Sequence, residues 1–437
     1  MNTKETFVIQ GLAGKRTLEG SVRIGGAKNS ALKAMAATIL FDGPVTLENV
    51  PDNSDIRTLS TILQKLGAKI ERSHDMLTID TTTINSTDID QDLAKGMRAS
   101  VVLTGPMLGR FKKVLFPSPG GCVIGARPID LFISGYQKMG ATTAESDCLY
   151  SMQAPADGLK ATDIFFNKVT VGGTETLMMA AVLAHGTTIL RNCAMEPEIG
   201  NVAEWLNACG ADISGIGSPT LTIRGRGGKL LSPKQSFVTI PDRVTAGSFL
   251  ILGALTAKEL TIENCRPDHM EAVTQLLIDL GVRMEIGADK ITVYGAEVTK
   301  PYAAISSLRT HEYPGFPTDL QSPIVTLLTQ SAGESIIFET IFEGRFKYVE
   351  DLTAMGATIT TMNPREILIK GPTVLRQLAD DEQVTAHDIR AGFAVVLAAL
   401  IGTGTFTVSN IHLIDRGYER LEEVLTGLGA DVKRVSY

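Results

Sequence analysis

Hydrophobic and polar positions along this chain follow two periods in an order that recurs. Around residues 241–295, DRVTAGSFLILGALT has the spacing of a buried helix and ELTIEN alternates like a strand. DHMEAVTQLLIDLG returns to helical spacing, and VRMEI and KITVYG alternate again. The pattern predicts helix, strand, helix, strand, strand. A glycine closes the second apolar helix of each copy: LGAKI at Gly67, MGATT at Gly140, CGADI at Gly210, LGVRM at Gly281, MGATI at Gly356 and LGADV at Gly429. The gaps of 73, 70, 71, 75 and 73 residues define a repeat of about 70 residues present six times. Each marker glycine suits the left-handed residue that ends a helix.

One such repeat cannot bury both faces of its own sheet, and 437 residues are many for a single core. The expected architecture is therefore α/β, with two domains of three repeats each. Composition changes the picture mainly by exclusion. A net charge of −7 argues against a nucleic-acid partner. The longest apolar runs, such as 394–402, fall short of the roughly 20 residues that span a bilayer, so no membrane partner is expected. The opening MNTKETFVIQGLAGK lacks the apolar core of a signal peptide. Cys122, Cys148, Cys193, Cys209 and Cys265 are scattered without CxxC spacing, and the six histidines form no HExxH-like cluster. A cytoplasmic protein follows, with no disulfide framework, no metal and no cofactor.

The first helices of the repeats begin at GGAKNSAL, GMRASVVL, VGGTETLMM, PDRVTAGSF, PTDLQSPI and HDIRAGFA, and four of these starts carry a cation: Lys28, Arg98, Arg243 and Arg390. Repeats related by rotation point equivalent helix ends the same way, so the starts should converge in two sets of three. Helix N-termini are already partly positive, and added cations make them concentrated anion sites. Asp242, Asp319 and Asp388 stand where an N-cap belongs, and capping is the expected role of Asp242 and Asp388. Asp319 follows the Pro- and Gly-rich loop HEYPGFPTD, where capping and a catalytic or substrate contact are equally open readings.

Two second helices add cations at their starts, Arg127 in GARPIDLF and Arg416 in DRGYERLEE. Pro128 favours the first turn of a helix and would set Arg127 at its mouth. The planar guanidinium fork matches phosphate or carboxylate. Just upstream, SPGGCVIGARP surrounds Cys122 with glycines, so its thiol is expected to meet a ligand, whereas Cys193 and Cys209 read as small buried hydrophobes. A loop thiol near cations serves as an acid or as a nucleophile.

In this order and spacing, GGAKNSAL, MRAS, PGGCVIGARPIDL, EPEI, PDR, FPTD, FEGRF, HDIRA and IDRGYERLE resemble the motifs of the UDP-N-acetylglucosamine 1-carboxyvinyltransferases, the enolpyruvyl transferases of peptidoglycan synthesis. The resemblance covers essentially the whole chain. EPSP synthase shares the implied fold, but the PGGC loop and ARPIDL favour the nucleotide-sugar enzymes. The resemblance implies a two-domain inside-out α/β barrel, EPSP synthase-like, with residues 28–239 in one domain and 1–27 with 240–437 in the other. The N-terminal strand would return to the C-terminal half.

What the resemblance implies for the site is specific. The substrates would be phosphoenolpyruvate and UDP-N-acetylglucosamine, without a metal. Lys28, Asn29, Arg127, Arg390 and Arg416 would hold phosphoenolpyruvate, with Arg98 adding to that electropositive pocket. Asn29, Arg98, Arg127, Pro128, Ile129, Asp130, Leu131, Lys168, Val169, Thr170, Val171, Asp319 and Ile341 would hold the sugar nucleotide. Thr170 and Ile341 stand where some relatives have serine and valine. Cys122 would protonate the methylene carbon of phosphoenolpyruvate and form a phospholactoyl adduct, Asp319 would take the proton of the sugar 3-hydroxyl, and Lys28, Arg127 and Arg416 would stabilise developing charge. Domain closure would exclude water. Glu196 and Glu198 fit the pattern without an assigned role.

Two other classes fit less well. RNA 3'-terminal phosphate cyclase has a related repeat fold, but the charge of −7 and the lack of an adenylylated-histidine motif count against it. A catalytically dead binding module would have no reason to keep Lys28, Cys122, Asp319 and Arg416 together.

Overall fold

A computed structural model describes residues 5–117, 129–295, 300–379 and 382–437. Cys122, Arg127 and Pro128 lie outside the described residues. Contacts divide the described chain into two units: residues 26–117 with 129–240, and residues 5–25 with 241–437.

The first unit contains three sheets. In the first, Phe237–Val238, Val45–Glu48, Met76–Asp80 and Lys69–Ser73 lie side by side. Lys113–Pro117, Leu149–Gln153 and Thr142–Ser146 make the second, and Asp88 bridges to Leu115 in the place of a further parallel strand. Asp163–Phe165, Thr187–Arg191, Thr220–Arg224 and Ile213–Ser214 make the third. The second unit repeats the plan, and its last sheet shows how the chain closes. There Thr405–Ser409 and Val432–Ser436 leave a gap for an antiparallel strand, and Glu5–Gln10 fills it. The next N-terminal strand, Leu18–Arg23, lies parallel to Ala257–Glu263 in another sheet of the same unit.

Helices sit inside and sheets outside because of where the apolar residues fall. Helices Val171–Val182, Arg243–Thr256 and Ile389–Ile401 are buried nearly all round, which requires neighbours on every side. They pack on the inner helices of their own unit and on the inward face of its sheets. Outer helices are amphipathic instead: Ser54–Lys65 buries Ile56, Leu59, Ile62 and Leu63 and leaves its other face wet. The sheets remain separate, and the described strands form no closed hydrogen-bonded barrel.

All six marker glycines are left-handed, with φ between 92° and 109°. Each ends its helix in the same two hydrogen bonds. In the first copy Gly67 N–H donates to Gln64 and Ala68 N–H to Leu63, and in the last Gly429 donates to Thr426 and Ala430 to Leu425. The sequence period is thus a period of helix stops.

Two inner helices start differently from the simple helical expectation. Arg98–Leu103 and Thr318–Leu320 are 3-10 turns that lead into α-helices Thr104–Phe111 and Gln321–Leu328. Pro106 and Pro323 occupy the third position of those α-helices. Proline has no N–H to donate backward, so regular α-helix begins only a residue or two before it.

Candidate active site

In the second unit the helix starts converge. Asp242 accepts from Val244 and Thr245 N–H at 2.9 Å, and Asp388 accepts from Arg390 and Ala391 N–H at 2.7 and 3.0 Å. Both are caps, as their positions predict. Their carboxylates offset the cost of placing Arg243 and Arg390 at the positive ends of these helices.

Asp319 does something else. It lies inside the turn Thr318–Leu320, past its N-cap position Pro317, and its Oδ1 accepts from Arg345 Nη2 at 2.6 Å. Arg345 is buried and also donates through Nη1 to Thr318 Oγ1 at 2.7 Å. Thr318 in turn donates to Glu339 Oε2 at 2.8 Å, while Glu339 Oε1 accepts from Ile341 and Phe342 N–H at 2.8 and 3.0 Å. Glu339 has no solvent exposure and ties the Asp319 turn to the turn that carries Ile341. Burial works against the charge of Arg345, but Asp319, Asp388 and Glu339 more than offset it and raise the guanidinium above its ordinary range.

The loop before Asp319 is held in place. His311 N–H donates to Phe316 and Gly315 N–H to Glu312, Phe316 is buried, and Arg243 lies 5.3 Å over the Tyr313 ring. Asp319 keeps about a third of its side chain exposed, so it stays reachable while its position is fixed.

Arg390 Nη2 lies 4.0 Å from Asp319 Oδ2. Its guanidinium sits 5.2 Å over Tyr418, whose ring stacks on Phe393 and whose hydroxyl is 2.8 Å from Ser248 Oγ. Burial again opposes the charge, and Tyr418, Asp319 and Asp242 hold Arg390 protonated. Arg416 ends the 3-10 segment Ile411–Arg416, two residues before Tyr418, and is half-buried.

In the first unit, Gly26 makes the start of helix Lys28–Ala37 possible: a Cβ there would sit 1.8 Å from the Asn49 carbonyl oxygen. Lys28 is buried, and its Nζ donates to Asp55 Oδ2 at 3.0 Å. Asp55 is fixed in the first turn of a helix capped by Asn53. Asn29 and Arg98 are half-buried at neighbouring helix starts. Five residues along from Lys28, Lys33 pairs with Glu175 at 3.4 Å. Burial pushes the Glu175 carboxyl up to about 7; Lys33 opposes that shift, while Glu198 and Glu196 add to it.

The described residues expected to bind the uridine diphosphate fall at two adjacent helix starts. Thr170 caps helix Val171–Val182 by accepting from Gly173 N–H at 3.2 Å, so it has a structural task as well. Ile129 precedes helix Asp130–Lys138, in which Asp130 is exposed and Leu131 half-buried. Phe132 of that helix would lie 3.3 Å from a Cβ at Gly172 or Gly173, so the two helices meet closely there. Lys168 is exposed, and Val169 and Val171 are half-buried.

Several residues of these constellations lack a role in the sequence-based reading: Asp55, Glu339, Arg345 and Tyr418. Arg345 and Tyr418 lie within FEGRF and IDRGYERLE, where the motif is visible but the partner is not. Glu339 places a charge immediately after the strand Gly333–Phe338, which is the trace a buried network leaves.

The EPSP synthase (3-phosphoshikimate 1-carboxyvinyltransferase) family model matches residues 12–425. A UDP-N-acetylglucosamine 1-carboxyvinyltransferase of Koribacter versatilis is 43% identical over 435 residues, covering 99% of this chain and 96% of that one. The protein of the same name from Campylobacter fetus is 44% identical over 425 residues, covering 97% and 99%. Among solved structures, the enolpyruvyl transferase NikO from Streptomyces tendae superposes with a TM-score of 0.87 at 25% identity, over the whole of both chains.

Proposed function

This chain belongs to the EPSP synthase family, and we propose that it transfers the enolpyruvyl group of phosphoenolpyruvate to the 3-hydroxyl of UDP-N-acetylglucosamine, releasing phosphate in the first committed step of peptidoglycan synthesis. The observation that carries this reading is identity above 40%, over nearly the full length, to relatives that bear that enzyme's name. A cytoplasmic location suits the substrates. Among the described residues no helix is long and apolar enough to cross a membrane.

The proposed chemistry uses each residue type for what it does well. Cys122 gives a proton to the methylene carbon of phosphoenolpyruvate, which leaves the adjacent carbon electrophilic. The sugar 3-hydroxyl attacks that carbon while Asp319 accepts its proton. The tetrahedral ketal then loses a methyl proton and phosphate, and the enol ether forms. Lys28, Arg127, Arg390 and Arg416 balance the phosphate and carboxylate charges throughout. Asn29, Arg98 and Ile341 contact the sugar and its anionic neighbours. The run from Arg127 to Leu131, with Lys168, Val169, Thr170 and Val171, receives the uridine diphosphate.

Support for Asp319 as the base comes from its fixed loop and partial exposure. A carboxylate gripped at Oδ1 by a buried guanidinium has one defined orientation, which is what a proton acceptor needs. The test is phosphate release from purified protein given phosphoenolpyruvate and either UDP-N-acetylglucosamine or shikimate 3-phosphate. Release with the sugar nucleotide alone supports the reading, and release with shikimate 3-phosphate alone overturns it.

A further inference from the structure

Arg434, on the C-terminal strand, has no place in the chemistry above, yet its surroundings are unusually well ordered for a side chain still 24% exposed. A guanidinium has five N–H donors. Here Nε donates to Glu422 Oε1 at 2.6 Å, Nη1 to Glu5 Oε2 and to Asp415 Oδ2, both at 3.0 Å, and Nη2 to Asp415 Oδ1 at 2.8 Å and Glu422 Oε2 at 3.1 Å. Every donor is used. The pairs with Asp415 and with Glu422 are both bidentate, the arrangement that fixes geometry as well as charge. One face of the guanidinium lies 5.0 Å over the Phe7 ring.

These partners come from separate pieces of the second unit: the N-terminal strand, the 3-10 segment Ile411–Arg416 and the first turn of helix Leu421–Gly427. Asp415 is the residue immediately before Arg416. On the other side of Arg416, Tyr418 is buried, stacked on Phe393 and bonded to Ser248. The backbone that carries Arg416 is therefore held at both ends, by Arg434 at Asp415 and by the inner helices at Tyr418.

We propose that Arg434 is a positioning residue for anion capture: its fork on Asp415 and Glu422 sets the backbone from which Arg416 reaches phosphoenolpyruvate. The proposal rests on the reading of Arg416 as a phosphoenolpyruvate partner. Ordinary exposed ion pairs contribute little to stability. A five-bond clamp beside a ligand-binding arginine acts chiefly on placement, where small displacements are expensive.

Steady-state kinetics of Arg434→Gln, Arg434→Lys and Arg416→Ala, with thermal melts, test this. In Arg434→Gln the KM for phosphoenolpyruvate should rise about tenfold, while the KM for UDP-N-acetylglucosamine and kcat stay within about twofold. Arg434→Lys, which keeps one ionic contact but loses the fork, should fall between. Should Arg434→Gln fail to fold, Asp415→Asn breaks the same pairing from the other side and should show the same substrate-specific rise. A lower melting temperature with both KM values unchanged would overturn the proposal by showing a purely structural clamp. If Arg416→Ala itself leaves the phosphoenolpyruvate KM unmoved, the assignment of Arg416 falls, and the positioning role falls with it. If Arg416→Ala raises that KM and neither clamp variant does, only the positioning role is wrong.

Discussion

Arg345 holds Asp319 and Thr318 at once, with Nη2 to Asp319 Oδ1 at 2.6 Å and Nη1 to Thr318 Oγ1 at 2.7 Å. One buried guanidinium thus fixes the proposed base together with the residue that precedes it. Replacing Arg345 by Gln should remove that grip and take away one counter-charge of Glu339 and Asp319. Breaking a fully buried pair costs about 3–5 kcal/mol, and with Asp319 about a third exposed the loss here should be smaller. The melting temperature should fall by several degrees and kcat should drop more than either KM rises. A kcat within twofold of the parent, at a temperature where the variant is folded, would show that Asp319 needs no such orientation.

Asp319→Ala tests the base directly. Loss of a general base typically lowers turnover by about 10² or more. Binding of both substrates, measured by calorimetry, should be largely kept, because the other proposed contacts remain. The melting temperature separates this role from a structural one: removal of Asp319 leaves Arg345 buried with one partner fewer, so a loss of stability with normal turnover would assign Asp319 to the network alone.

Asp242 and Asp388 make the opposite case. Both accept two backbone N–H groups at helix starts, so Asp242→Ala or Asp388→Ala should cost about 1 kcal/mol, or about 1–2 °C in melting temperature. Asparagine at either position should restore most of that, since its carbonyl oxygen can still cap. Equal losses in the alanine and asparagine variants would point to charge, through Arg390 and Arg345, as the more important term.

Much of the fold was legible because it depends on local rules. Helix periodicity and the six glycine stops require no tertiary knowledge, and the left-handed φ at Gly67 or Gly429 is what a helix stop demands. Capping by Asp242 and Asp388 was legible for the same reason. The pairings that complete the site were not, because they link distant parts of the chain. Arg345 is 26 residues from Asp319, and Glu5 is 429 residues from Arg434. Nothing in local composition distinguishes Arg345 from a solvated arginine. The 3-10 starts at Arg98 and Thr318 were hidden by a helical pattern that held on either side, although the prolines at 106 and 323 carried the signal.

Cys122 lies outside the described residues, so its role stands on the resemblance and on the glycine-rich sequence around it. Cys122→Ser should lose most turnover and all covalent labelling by the epoxide fosfomycin, read by intact-protein mass. Labelling that persists in the variant would move the reactive thiol to another cysteine. Cys193 and Cys265 are poor substitutes, since burial pushes both thiols up to about 11.

Stability should fall as pH rises through neutrality, and two groups in different units contribute. Glu175 is raised to about 7 by burial, with Glu196 and Glu198 adding and Lys33 opposing. The folded chain therefore keeps a proton that the unfolded chain releases near 4.5, and stability declines between these values by roughly 3 kcal/mol for this group alone. His387 is raised by its bond to Asp351 at 2.7 Å, with Asp388 adding and with burial and Lys347 opposing. Its contribution is complete below the ordinary histidine value and is lost as pH climbs through the higher folded one. Melting temperatures of the parent, Glu175→Gln and His387→Gln across pH 5–8 separate the two. A neutral glutamine at 175 removes the penalty on ionisation, so that variant should gain on the parent as pH rises, even if loss of the Lys33 pair lowers the whole curve. His387→Gln should do the reverse at low pH, losing most where the imidazolium pair is intact and converging on the parent above the folded value. Curves parallel to the parent for Glu175→Gln would mean that Lys33 keeps Glu175 ionised throughout, and the buried pair would then be a fixed ion pair with no proton to exchange.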